Sequence, residues 1–289
     1  MKKTTLLAIA ALAAFTGHAQ TDSTKTNNDT MRIGNILIIK KGKKSNSSDS
    51  TIVLGRTNYS RKSNSRFTTN WGVIDLGFSN YSDKTNYANA GSYLVDNPSS
   101  PPLGAANFKL RAGSSINVNL WFFMQTMHLV KKNVNLKYGL GLELNNYRYK
   151  SALSYREEGL IPYSGGQQTN NPFIFRDSIS FKKNKLATDY LTVPFMLNFA
   201  SNKYNRNKGL SASFGVSAGY LYSQRNKQKS DERGKDKNKG EYDMERFKLS
   251  YIGELGIGPV KLYGSYSPKS MYEHSLDIRP FNVGFRISN

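Results

Sequence analysis

Along residues 133–150, Val134, Leu136, Tyr138, Leu140, Leu142 and Leu144 occupy every second position, with Asn135, Lys137, Gly139, Gly141, Glu143 and Asn145 between them. A period of two sends successive side chains to opposite faces of an extended strand, so one face here is wholly apolar and the other polar or small. In a soluble sandwich the polar face would meet water. In an outer-membrane barrel it would line the lumen while the apolar face meets lipid.

The alternation recurs along the chain. Over residues 70–81, Ile74, Leu76 and Phe78 oppose Asp75, Gly77 and Ser79; over 115–127, Ile116, Val118, Leu120, Phe122 and Met124 oppose Asn117, Asn119, Trp121 and Gln125. Residues 187–200 set Leu191, Val193, Phe195, Leu197 and Phe199 against Tyr190, Thr192, Pro194 and Asn198. Residues 210–222 set Leu210, Ala212, Phe214, Val216, Ala218 and Tyr220 against Ser211, Ser213, Gly215, Ser217 and Gly219. Stretches 247–257, 260–267 and 281–288 complete a set of about eight strands, an even number as bacterial barrels require. The predicted class is all-β: a transmembrane antiparallel up-and-down barrel over residues 69–289. On this assignment Leu140→Arg places a charge near the bilayer midplane at about 2–4 kcal/mol, and Gly141→Ser is expected to be far milder.

The connections carry an independent signal. Long segments (82–112, 151–185, 223–246 and 268–278) alternate with short ones (128–132, 201–208 and 258–259). Tight periplasmic turns and long external loops produce this asymmetry in outer-membrane barrels, and nothing in a soluble sandwich demands it. The charged stretch 224–243 contains no aliphatic residue and is expected to be a solvated external loop.

Composition agrees with a barrel. The 289 residues include 24 Gly, 12% aromatics and 38% hydrophobic residues, with a mean hydropathy of −0.57. That is thin for a soluble core of this length but suits a barrel, where only alternate residues over a band about 25 Å tall must be apolar. Ahead of the strands, Lys2 and Lys3, the apolar run from Leu6 to Phe15 and Gly17-His18-Ala19 read as a cleaved export signal over residues 1–19. Residues 20–68 read as a polar periplasmic linker in which the β-prone runs 32–41 and 51–54 are able to pair as a hairpin. With 0 Cys, thiolate metal sites and disulfides are excluded.

The formal net charge of +21 becomes +19 once Lys2 and Lys3 leave with the signal. The cations are scattered and no nucleic-acid module gathers them, so nucleic acid is not the expected partner. Outer-membrane lipid and the phosphates of lipopolysaccharide are, with an envelope or secretion-machinery protein as a further partner. No cofactor is expected.

The strand Asp189-Tyr190-Leu191-Thr192-Val193-Pro194, ending in Asn198-Phe199, resembles the Tyr-Leu-x-x-Pro strand of the PorT-type outer-membrane β-barrel domain. Phe214-Gly215-Val216, Gly256 with Gly258, and Asn282-Val283-Gly284-Phe285 resemble further strands of that family, so the resemblance runs from about Asn70 to Asn289. It departs at the end of the chain, where Arg286-Ile287-Ser288-Asn289 replaces the terminal aromatic of many barrels. The resemblance implies a barrel and an outer-membrane location; one branch of the family serves a secretion and gliding apparatus.

Three kinds of candidate chemistry follow. Asp75, Glu143 and Glu254 share the inward parity with Lys137, Lys248, Lys261 and Arg286, so a charge network is expected to fill the lumen, with a narrow gated pore as the alternative. Tyr155, Tyr163, Phe173, Phe175 and Phe181, near Gly165-Gly166, offer aromatic contact area on an external loop. A barrel enzyme, a lipid hydrolase or protease, would have to use His274 with Glu273, Ser275 or Asp277, because the other mature His, His128, falls in a periplasmic turn. Neighbours on one loop rarely converge as base, orienter and nucleophile, so a non-enzymatic role stands ahead.

Overall fold

The computed structural model describes residues 29–33, 36–40, 66–130, 133–201, 209–257 and 260–287. The export signal 1–19 and the 51–54 run lie outside them, as do most of 201–208 and all of 258–259. The chain divides into a unit over residues 1–63 and a unit over 64–289. In the first, β1 (Asp29–Ile33) and β2 (Ile36–Lys40) form an antiparallel hairpin, with Asp29 opposite Lys40 and Ile33 opposite Ile36. The expected pairing of the 32–41 run with 51–54 falls outside the described residues, since 51–54 is not among them; within them, the 32–41 run contributes Arg32 and Ile33 to β1 and Ile36–Lys40 to β2.

The second unit contains β3 (Phe67–Asp83), β4 (Leu94–Val95), β5 (Ile116–Val130), β6 (Val134–Arg148), β7 (Leu153–Arg156), β8 (Gly159–Leu160) and β9 (Gln168–Thr169). It continues with β10 (Phe173–Arg176), β11 (Lys183–Ala200), β12 (Leu210–Ser230), β13 (Gly234–Lys239), β14 (Phe247–Ile257), β15 (Val260–Tyr266) and β16 (Ile278–Ile287). Eight of these, β3, β5, β6, β11, β12, β14, β15 and β16, pair antiparallel in chain order, and β16 returns to β3 to close the ring. Closure satisfies the backbone of every strand without leaving an edge, which a lipid-facing sheet requires.

The faces follow the alternation over most of the barrel. Phe214, Leu255 and Phe285 are each more than half exposed on the outside, while Asp75, Asn135, Asn145 and Ser79 are almost wholly buried inside. One region departs. In β5 the pairing to β6 slips between Trp121 and Phe123, so that Phe122 is an extra residue. Directly across, Gly72 of β3 takes a φ of 65° that a residue with a side chain rarely adopts. Below this double irregularity the parity reverses in both strands, and Trp71 is 74% exposed while Met124 is 4% exposed. Met124, expected on the lipid face, packs inside with Val73, Trp121 and Met196; Gln125, expected inside, bonds Thr69 and Tyr138 instead. A one-residue bulge inverts every side chain beyond it, and period-two reading has no means to anticipate that. His128, expected in a turn, is within β5, where its Nδ1 lies 2.6 Å from Asn135 Oδ1.

Inside, the walls touch. A Cβ on Gly141 would lie 2.5 Å from the Leu120 carbonyl oxygen and 2.7 Å from the Trp121 ring. The expectation that Gly141→Ser is mild is thereby overturned, because the eight-stranded lumen is already full at that level.

The expectation of an open 224–243 loop also needs correction. β12 runs eight residues beyond Tyr222 and turns back as β13, and the hairpin buries Asn226, Gln228 and Ser230 on one face. Asn226 Nδ2 donates to Asn184 Oδ1 at 3.1 Å, and Gln228 Nε2 to the Leu153 carbonyl at 3.1 Å. Amides with partners replace the missing aliphatic residues, so a hydrophilic sequence still packs one side.

Candidate functional site

Side chains from neighbouring and from facing strands meet inside the lumen. Arg286 of β16 donates from Nε to Asp75 Oδ1 at 2.6 Å and from Nη2 to Asp75 Oδ2 at 2.8 Å, and its third nitrogen reaches Glu254 of β14. Lys137 of β6 closes on the same Glu254. Trp121 Nε1 and Asn119 Nδ2 complete the shell of Asp75 at 2.7 and 3.2 Å. Nearer the long-loop end, Lys248 pairs with Glu143 and sits 4.4 Å from the centre of the Tyr190 ring. Asn145 and Asn282 also donate to Glu143, at 3.1 and 3.3 Å. Asn117, Asn145, Ser79 and Asn282 link the two clusters through amide and hydroxyl bonds. Three carboxylates thus face three cations, and each buried charge has a partner, the condition under which buried charge is tolerated. Lys261, the remaining candidate, is half-buried and opposite Arg286 in the β15–β16 ladder. The cavity beside Arg286 is about 30 Å³, room for one or two waters and no more. Trp121, Asn117, Asn119, Tyr263 and Asn282, unremarked as site residues in the sequence, are singled out by inward parity alone.

Above the lumen the four long connections pack into a cap. Tyr93 and Phe108 come from the first, Tyr149, Tyr155 and Ile174 from the second, Tyr242 and Met244 from the third, and Met271 and Tyr272 from the fourth. Their hydroxyls find partners: Tyr149 and Tyr155 at 2.7 Å, Tyr155 and Tyr272 at 3.0 Å, and Tyr93 on the Tyr242 carbonyl at 2.6 Å. Tyrosine combines a large apolar ring with a polar tip, so sparse tyrosines build a dry core where aliphatic residues are scarce. Burial pushes the Tyr149 hydroxyl up to about 12 and raises those of Tyr93, Tyr155 and Tyr272 well above the ordinary phenol range, so the cap core stays uncharged at ordinary pH.

Of the aromatics expected as external contacts, Tyr155, Phe173 and Phe175 are buried inside this cap, in or beside the β4–β10–β7 sheet. Tyr155 and Phe173 offer no area to the outside, which corrects the sequence reading, while Phe175, though buried, lines an external cleft. Phe181 is half-buried. Tyr163 alone of the five is more than a third exposed, at the rim of an open external cleft of about 590 Å³ that Arg156, Leu160 and Arg233 also line.

Of the three sequence neighbours expected beside His274, the structure brings Glu273 close and ties Ser275 and Asp277 elsewhere. Asp277 is held by Arg279 at 2.8 Å, and the Ser275 N–H donates to Asp243. His274 Nδ1 lies 2.8 Å from Asp243 Oδ1, a partner 31 residues away. Asp243 raises the pKa of the exposed imidazole through that hydrogen bond. Asp243, Glu273 and His274 place ligand atoms within 4.8 Å of one another, but Asp243 already accepts the ring and the backbone N–H groups of His274 and Ser275. Among the described residues no hydroxyl bonds the His274 ring, so the loop assembles an acid–histidine pair rather than a base poised on a nucleophile.

A family model described as "Outer membrane protein beta-barrel domain" matches residues 76–284, which takes in the whole ring except the start of β3 and the end of β16. No curated protein matches the chain.

Proposed function

The chain belongs to the outer membrane protein beta-barrel domain family, and on that premise we propose that this integral outer-membrane barrel is non-enzymatic and non-conducting. It serves as a surface-binding, structural or secretion-assembly element whose cap faces outward. The observation that carries this reading is the Asp75–Arg286–Glu254–Lys137 bridge, which spans the lumen beneath the packed cap. In planar bilayers the full chain is expected to give no discrete conductance steps. Reproducible single-channel openings from the unaltered protein would reinstate the gated pore.

The Tyr190-Leu191 to Pro194 strand supports the finer kinship with the PorT-type branch, and with it an envelope or secretion-machinery protein as partner. Residues 1–19 act in this reading as the cleaved export signal and residues 20–68 as a periplasmic extension. The acid–histidine pair at His274 would support a hydrolase only by activating water as the nucleophile, since among the described residues no hydroxyl bonds its ring.

Orientation is open to a direct test. The β12–β13 tip, with Asp231, Glu232 and Arg233 exposed, is on the cap side; the 201–209 connection joins the opposite ends of β11 and β12. Trypsin added to intact cells is expected to cut at Arg233 and spare 201–209. Lys227, paired on both sides in the sheet, is expected to resist. Protection of Arg233 until the outer membrane is ruptured would turn the barrel over.

A further inference from the structure

Above the lipid belt β11, β12 and β13 continue as a three-stranded sheet, and its register places lysine against lysine twice. Lys183 pairs with Lys229, which pairs with Lys235; two residues lower, Lys185 pairs with Lys227, which pairs with Lys237. The strand parity sends all six to the outer face, because Asn184, Leu186, Asn226 and Gln228 between them are buried against the cap. Like charges directly opposite one another destabilise a sheet. Here the cost is incurred in two consecutive rows, and among the described residues none of the six makes an ion pair. Two acidic residues flanking the rows are already taken, Asp189 by Arg225 at 2.6 Å and Asp231 by Lys182 at 2.6 Å.

The position of the rows says what would neutralise them. Leu191, Val193 and Tyr220, just below, are exposed and apolar, so the Asp189–Arg225 pair marks the upper edge of the belt. Lys185 is four residues further along β11, roughly 13 Å at about 3.3 Å per residue. Strands tilted by about 40° turn this into roughly 10 Å of height. That is above the acyl chains and level with charged headgroups. The β11 and β12 part of the face is backed by the buried Asn184, Asn226 and Gln228, and the face points sideways along the membrane rather than up into solvent.

We propose that the two lysine rows form a docking surface for the phosphorylated sugar headgroups of outer-leaflet glycolipid, whose phosphates bridge neighbouring lysines across the three strands. The proposal rests on the outward orientation of the cap and is independent of whether the lumen conducts.

The test uses the full chain reconstituted in phosphatidylethanolamine vesicles containing diphosphorylated lipid A, with retained lipid A counted per barrel after detergent extraction. Each of K185Q/K227Q/K237Q and K183Q/K229Q/K235Q is expected to lower retention on the order of tenfold. K84Q/K109Q/K150Q, which removes three exposed cap-side lysines outside the rows, is expected to leave it unchanged. Lipid A stripped of both phosphates should be lost by every form, and inorganic pyrophosphate at equal concentration should not displace the intact lipid. All variants must keep the heat-dependent mobility shift in SDS of the parent, so that lost retention is not lost fold. Equal retention by the row variants, equal loss in the K84Q/K109Q/K150Q control, full retention of the stripped lipid or displacement by pyrophosphate would each overturn the proposal. So would a DNA oligonucleotide that binds the rows in preference to lipid A. Conductance by the parent chain would sink the plugged-lumen reading alone.

Discussion

Replacing Arg286 by methionine is expected to destabilise the barrel by about 3–5 kcal/mol, because it leaves Asp75 and Glu254 as buried carboxylates that have lost their shared cation. Asp75 is wholly buried and receives two of the three guanidinium contacts, and the one or two waters the adjoining cavity can hold do not replace a cation. Lys137 continues to cover Glu254, which makes Asp75 the damaged partner. Adding Asp75→Asn to Arg286→Met should therefore restore much of the loss, since an amide can still accept from Trp121 while carrying no charge. The readout is the temperature at which the compact band in SDS gives way to the unfolded one. An Arg286→Met variant that melts with the parent would mean that the bridge is decorative.

Leu140→Arg and Gly141→Ser, adjacent in β6 and on opposite faces, are both expected to fail, for different reasons. The arginine meets hydrocarbon and costs about 2–4 kcal/mol near the midplane. The serine meets the Leu120 backbone and the Trp121 ring at distances no Cβ tolerates, and relief requires the β5–β6 ladder to move, an overpacking cost of about 1–3 kcal/mol or more. Detergent separates them: refolding in short-chain micelles, which adapt to a charged surface, should rescue Leu140→Arg in part and leave Gly141→Ser impaired. Normal assembly of Gly141→Ser would show that the lumen has slack at this level.

The strands were legible because lipid outside and polar groups inside impose opposite demands on alternate residues, and the faces of β11, β12 and β16 follow directly. The bulge at Phe122 was not, because an inserted residue changes parity without changing composition. The lumen charges could be assigned to a face, but their pairing depends on ring closure and register, which set Arg286 beside Asp75 across the β3–β16 seam although the two are 211 residues apart. The sequence shows the cap only as separate external loops because its apolar content is mostly tyrosine spread over four connections, none of which can bury its rings alone. Asp243 was missed as the partner of His274 for the same reason, and the lysine rows emerge only once register sets three strands side by side.

The seam between β3 and β16 has a consequence for how the molecule comes into being. Ten residue pairs, from Ile278 opposite Asp83 to Ile287 opposite Ile74, join the first strand of the ring to the last. A chain still lacking its final thirty residues has β3 and β14 as unpaired edges, open to any other strand it meets in transit. Contacts of such long sequence separation also form slowly. Closure is therefore the last event of biogenesis, and the unclosed chain depends on whatever shields those two edges until the seam is made.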